Sequence, residues 1–169
     1  MIDLVAHPQT LPGAVRGVHA GAARAPRGLL ALRYRIEGDL ERLRIAPPRA
    51  PAIAERLWEH SCCEVFIAPA GAAGYQEFNF SPSGEWAAYA FQGYRQGDPW
   101  RAPDPQIDVR RSGHELELRA RIPAPAGRLR VALCAVIEDR EGVLSYWALR
   151  HPAGKPDFHH PDGFALELD

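Results

Sequence analysis

The most regular stretch of the chain is His114 to Ile122, in which Leu116, Leu118, Ala120 and Ile122 alternate with Glu115, Glu117, Arg119 and Arg121. Strict two-residue alternation marks a strand with one face in the core and one in water. Leu30, Leu32, Tyr34 and Ile36 alternate with Arg33, Arg35 and Glu37, and Gly38-Asp39 then leads into Leu40 to Ile45, a pattern that predicts a hairpin. Leu129 to Glu138 is apolar on both faces, as expected of a strand in the middle of a sheet. Shorter strands are predicted at Ile2 to Ala6, Val15 to Ala20, Cys62 to Ala68, Tyr75 to Ser81, Glu85 to Gln92, Gln106 to Arg111, Val143 to Arg150 and Phe164 to Leu168.

Fifteen Gly and sixteen Pro punctuate these segments and leave few windows long enough for a helix. The proline-rich stretches 46–54 and 93–105 read as loops, with room for a short helical turn in 52–59. No repeat or domain boundary interrupts the series. The expectation is one domain over residues 1–169, an all-β antiparallel sandwich, jelly-roll or immunoglobulin-like, of roughly ten strands.

Composition narrows the function without naming it. A chain of 169 residues can bury a core without disulfides, and no apolar run approaches the roughly 18 residues of a membrane span. Twenty-one acidic residues nearly cancel twenty basic ones, so bulk charge gives no reason for a nucleic acid or membrane partner, and any binding must come from a local site. The cysteines are odd in number, Cys62 and Cys63 are adjacent, and no CxxC pair exists, which predicts buried free thiols. Met1-Ile2-Asp3-Leu4-Val5 lacks the basic and apolar regions of a secretion signal, so a cytoplasmic location is expected.

Candidate chemistry falls in two blocks. In the first, Cys63, Val65 and Ile67 point one way from their strand and Cys62, Glu64 and Phe66 the other. If Phe78 and Phe80 of the next strand face the core, Tyr75, Glu77 and Asn79 project from the outer face. An aromatic beside a carboxylate and an amide suits a sugar, whose ring stacks on the aromatic while its hydroxyls bond the polar groups. The plainer reading is that Glu64 and Glu77 pair with arginines on a solvated face. Ser81-Pro82-Ser83-Gly84 reads as a turn and lacks the GxSxG pattern of a hydrolase. Trp86, Tyr89, Phe91, Tyr94 and Trp100 form the densest aromatic group, with Trp and Tyr able to offer a wet edge.

The second block runs from Trp147 to Phe164. It holds His151, His159 and His160, three of the seven histidines, together with Asp157 and Lys155, the one lysine among nineteen arginines. A compact ammonium there would suit a carboxylate or phosphate on a ligand, although coding bias toward Arg accounts for the skew equally well. No HExxH or Cys/His spacing supports a metal, and Met1 is the one methionine, which removes a Met/His haem pair.

The pattern Trp58-x5-Glu64-x-Phe66-Ile67, the turn at Gly84 and the closing strand 164–168 resemble the DOMON-like superfamily, which includes the family 9 carbohydrate-binding modules. WEHSCCEVFIAP, EFNFSPSGEWAAYAFQGYR and HPAGKPDFHHPDGF look like a small group of bacterial DOMON-like proteins, some associated with the cell-wall enzyme enolpyruvylglucosamine reductase. The resemblance implies a sandwich that binds sugars or, in other branches, haem. Family 9 modules clamp a sugar between two tryptophans and often carry structural calcium.

Together these readings predict a non-catalytic domain with no cofactor, taking a sugar or a sugar derivative, one bearing a carboxylate or phosphate included, at Trp58, Glu64, Glu77, Asn79, Trp86, Tyr89, His151, Lys155, Asp157 and His159. The rivals are a glycosidase or lyase using Glu64 and Glu77, and a protein-interaction domain with an aromatic face.

Overall fold

The alternating segments assemble into two layers. A computed structural model describes residues 1–169 as thirteen strands in two antiparallel sheets stacked as a sandwich. One sheet has the order β1 (Ile2–Asp3), β3 (Val15–Ala25), β4 (Leu29–Gly38), β10 (Glu115–Pro123), β9 (Gln106–Ser112). The other runs β2 (Val5–Ala6), β12 (Leu144–Ala148), β11 (Leu129–Glu138), β5 (Cys62–Pro69), β6 (Tyr75–Phe80), β7 (Trp86–Gly93), β8 (Gln96–Pro99), and β13 (Leu166–Leu168) pairs with the start of β11. The helical pieces are three-residue 3-10 turns, and no helix is long and apolar enough to cross a membrane.

One core joins the layers. Leu30, Leu32, Tyr34 and Ile36 of β4 and Leu116, Leu118, Ala120 and Ile122 of β10 meet Cys63, Val65, Ile67, Phe78 and Phe80 of the opposite sheet. A second cluster lies on the outer face of that opposite sheet, where Phe66, Ala68, Tyr75, Ala132, Cys134 and Val136 are covered by Phe158 and Phe164 from the segment between β12 and β13. β5 and β11 are therefore buried on both faces, which is why neither alternates in sequence.

Three expectations are corrected. Leu40 to Ile45 does not fold back on β4, because β3 and β10 already occupy both of its hydrogen-bonding edges; Leu40–Arg42 is a 3-10 turn and Leu43 makes a lone bridge to Asp139. Gly38 is needed at this corner, since a Cβ would stand 2.4 Å from the Ala14 carbonyl oxygen. Ile2 to Ala6 is not one strand: β1 pairs with β3, β2 pairs with β12, and the chain changes sheets at buried Leu4. Within the stretch read as a loop, Gln96–Pro99 forms an edge strand, a position that tolerates proline because one side of its backbone needs no partner.

Candidate functional site

The outer face of the eight-stranded sheet carries a pocket of about 360 Å³, within the roughly 300–1,000 Å³ usual for small-molecule sites. Five neighbouring strands each place a side chain in it by alternation: Tyr146 from β12, Val136 from β11, Glu64 from β5, Glu77 from β6 and Tyr89 from β7. Phe91 and Arg95 add to one side, and Pro156, Phe158 and His159 close over the top. Trp58, on the 3-10 turn Leu57–Glu59, meets Tyr89 edge to face at 5.7 Å, and Tyr146 meets Phe158 likewise at 5.8 Å. The pocket thus has an aromatic pair on each side, an arrangement that edge-to-face geometry favours.

Its floor is acidic. Glu64 is 3% exposed, and its Oε1 is buried without a hydrogen-bond partner. Glu77 is 5% exposed and accepts a hydrogen bond from Asn79 Nδ2 at 2.9 Å. Because Glu64 pairs with Asn79, Glu77 is its diagonal neighbour on the same face, roughly 7–8 Å away at the backbone. Burial, and then the charge of Glu77, push the Glu64 carboxyl well above the usual carboxylate range. Burial raises Glu77 to about 7, against the pull of the Asn79 amide and Arg95.

A polar clasp holds the cover. The Tyr75 hydroxyl lies 2.9 Å from His159 Nδ1 and accepts the Arg95 backbone N–H at 3.1 Å. His159 Nε2 stands 3.8 Å from Glu77 Oε2, beyond hydrogen-bond reach. Burial and the nearby Arg95 guanidinium hold His159 down to about 4. Asp157 accepts from the Tyr94 hydroxyl, from Arg95 Nη2 at 2.8 Å and from the His159 backbone N–H at 3.1 Å. Against the opposing effect of burial, these hydrogen bonds keep its carboxyl below the usual range. Arg95 reaches it from the β7–β8 turn, in a left-handed conformation with φ of 55°.

Removing this clasp should loosen the cover before it loosens the sandwich. Asp157→Ala is expected to cost about 1–3 kcal/mol and to speed amide exchange at His159 while leaving β5 and β11 protected. Unchanged exchange at His159 would mean that the clasp does not hold the segment.

No protein-family model matches the chain, and neither does any curated protein. Solved structures similar to it include a candidate carbohydrate-binding protein from Bacteroides uniformis, at 18% identity over 99% of this chain and 84% of that one, with a TM-score of 0.74. They also include a family 9 carbohydrate-binding module from Caldicellulosiruptor kristjanssonii in complex with cellotriose, at 11% identity over 89% of this chain and 74% of that one, with a TM-score of 0.55. At these identities the likeness establishes the fold, a sandwich like that of carbohydrate-binding modules.

Of the residues singled out in sequence, Trp58, Glu64, Glu77, Tyr89 and His159 line the pocket. Asn79 sits behind Glu77, fully buried, and Asp157 acts through the clasp. Trp86 is a correction: it pairs with Phe80, points into the core between the sheets and is out of reach of anything in the pocket. Trp147 lies in the same core and Trp100 packs against it, so Trp58 alone of the four tryptophans lines this site.

His151 and Lys155 are corrected too. His151 Nε2 donates to the Val5 carbonyl at 2.8 Å, and its ring packs against His7, fastening the segment to β2. Lys155 is exposed and outside the lining. His160 Nδ1 accepts from the Asp162 backbone N–H. Phe91, Arg95, Val136, Tyr146, Pro156 and Phe158 are the lining residues that sequence reasoning did not place in the site.

Proposed function

We propose that the protein is a non-catalytic binding domain that takes a small sugar, or one unit of a longer one, in the pocket on the outer face of the eight-stranded sheet. The observation that carries this is the pocket's make-up: two aromatic pairs standing over two buried carboxyls. Aromatic faces stack on the C–H side of a pyranose, and carboxyl oxygens accept from its hydroxyls. The fold shared with a cellotriose-bound family 9 module supports the reading. In this proposal a DOMON-like domain has replaced the two-tryptophan clamp of family 9 by Trp58–Tyr89 on one side and Tyr146–Phe158 on the other. An anionic sugar fits poorly, since Lys155 lies outside the pocket and Arg95 is engaged with Asp157.

Calorimetry against a panel of mono- and oligosaccharides is expected to give binding that Trp58→Ala weakens at least about tenfold, or about 1.4 kcal/mol, with little change in melting temperature. Trp58 is 40% exposed, so its loss leaves no cavity in a core. No heat with any sugar would overturn the proposal.

One observation favours a glycosidase as a second reading: Glu64 and Glu77 share a face, and neither is ion-paired to an arginine. Retaining enzymes hold their carboxyls about 5–5.5 Å apart and inverting ones about 6.5–9.5 Å. Turnover of aryl glycosides that Glu77→Gln abolishes would replace binding by catalysis.

A further inference from the structure

Two carboxyls in one desolvated pocket must be balanced by a proton or a cation, because neither ionises freely beside the other away from water. No lysine or arginine of the protein is ion-paired with either carboxyl. The Arg95 guanidinium is turned to Asp157 at 2.8 Å, and His159 is neutral above its depressed pKa of about 4. Glu77 has only the Asn79 amide, and Glu64 Oε1 has nothing. The other titratable groups around the pair are the thiols of Cys62, Cys63 and Cys134 and the phenols of Tyr34, Tyr75, Tyr89 and Tyr146, all pushed up by burial and therefore uncharged.

Around the acidic floor stand the rings of Trp58, Tyr89, Phe91, Tyr146 and Phe158. The negative faces of aromatic rings attract cations, most strongly where water is excluded. A neutral hydroxyl would satisfy one lone pair on Glu64. An ammonium offers three donors and the missing positive charge, and it suits rings and carboxyls at once.

We propose that the ligand presents a protonated amine to Glu64 and Glu77, so that the class selected is a sugar bearing a free amino group. The inference rests on the sugar reading above and adds its charge. Binding would ionise the carboxyls and release protons, whereas an anionic ligand would take protons up.

The test is calorimetry just below neutral pH with glucosamine, N-acetylglucosamine and glucose, each in two buffers of different ionisation enthalpy, with butylammonium as a ring-free amine. Glucosamine should bind at least about tenfold more tightly than the other two sugars, with proton release, and Glu64→Gln or Glu77→Gln should bring the three to within about threefold. Equal affinity for the three sugars, or a preference surviving in both variants, overturns the amine and leaves the sugar reading standing. Binding of butylammonium without any sugar keeps the ammonium site and overturns the sugar reading. Silence from every probe overturns both.

Discussion

Trp86→Ala is expected to lower the melting temperature by roughly 6–20 °C, the effect of losing about 3–5 kcal/mol in a domain of this size. Trp86 is 2% exposed, lies beside Phe80 across the β6–β7 pair and packs in the core between the sheets. Its backbone also bonds Ala52 and Ala54, so the 52–54 segment is docked against the same residue. Truncation removes an indole from a wall of fixed side chains that refill the space only in part. Wherever the variant stays folded, its ligand affinity should match that of the native protein, because the ring lies on the face opposite Tyr89. Trp58→Ala should do the reverse. A Trp86→Ala protein that melts within a degree or two of the native one would remove Trp86 from the core.

The second large effect is on pH. The carboxyl of Glu77 is raised from 4.5 to about 7 on folding, so between those values the native state holds more protons than the unfolded chain and stability falls as pH rises, by about 3 kcal/mol in all. His159 is lowered from 6.5 to about 4, so the native state holds fewer protons across that range and stability rises with pH by a similar amount. The two oppose each other between about pH 4.5 and 6.5, while Glu64, whose shift is upward as well, adds its own decline there, so stability still falls across that range. Above about pH 6.5 only the carboxyls act, both of them up to about pH 7 and Glu64 alone beyond it. Urea midpoints should therefore decline from about pH 6.5 toward 8.5, and Glu64→Gln, which leaves no charge to bury at residue 64, should flatten the part of the decline above about pH 7 while the Glu77 part remains. A midpoint that holds steady or rises over that interval would mean that the two carboxyls are solvated.

What the sequence could and could not convey follows from period and parity. Counting in twos from Phe78 and Phe80 puts Glu77 and Asn79 on the outer face, and the structure agrees, because both faces of β6 are buried and a slip by one residue would exchange them. The same count on β7 separates Trp86 from Tyr89, three residues apart, so parity alone argues against placing both in one pocket. Tyr146 was hidden for the opposite reason: its strand is short, and nothing local says which of Tyr146 and Trp147 faces inward. The loop carrying His151, Lys155, Asp157 and His159 has no period at all. Its side-chain directions are set by distant partners, Val5 for His151, Arg95 for Asp157 and Tyr75 for His159, none of which a local pattern encodes.

At Leu4 the chain leaves one layer and enters the other within a single residue. Layers joined only by side-chain contacts can shear past each other, whereas a peptide strut between them turns shear at that edge into bending, a stiffer mode. His151 ties the far end of the pocket's cover to the Val5 carbonyl on that same strut, while Asp157 ties its middle to the β7–β8 turn. The cover is thus a strap anchored at two points of different compliance. Opening the cover therefore has to break either the single His151–Val5 hydrogen bond or the charge-assisted contacts of Asp157 with Arg95.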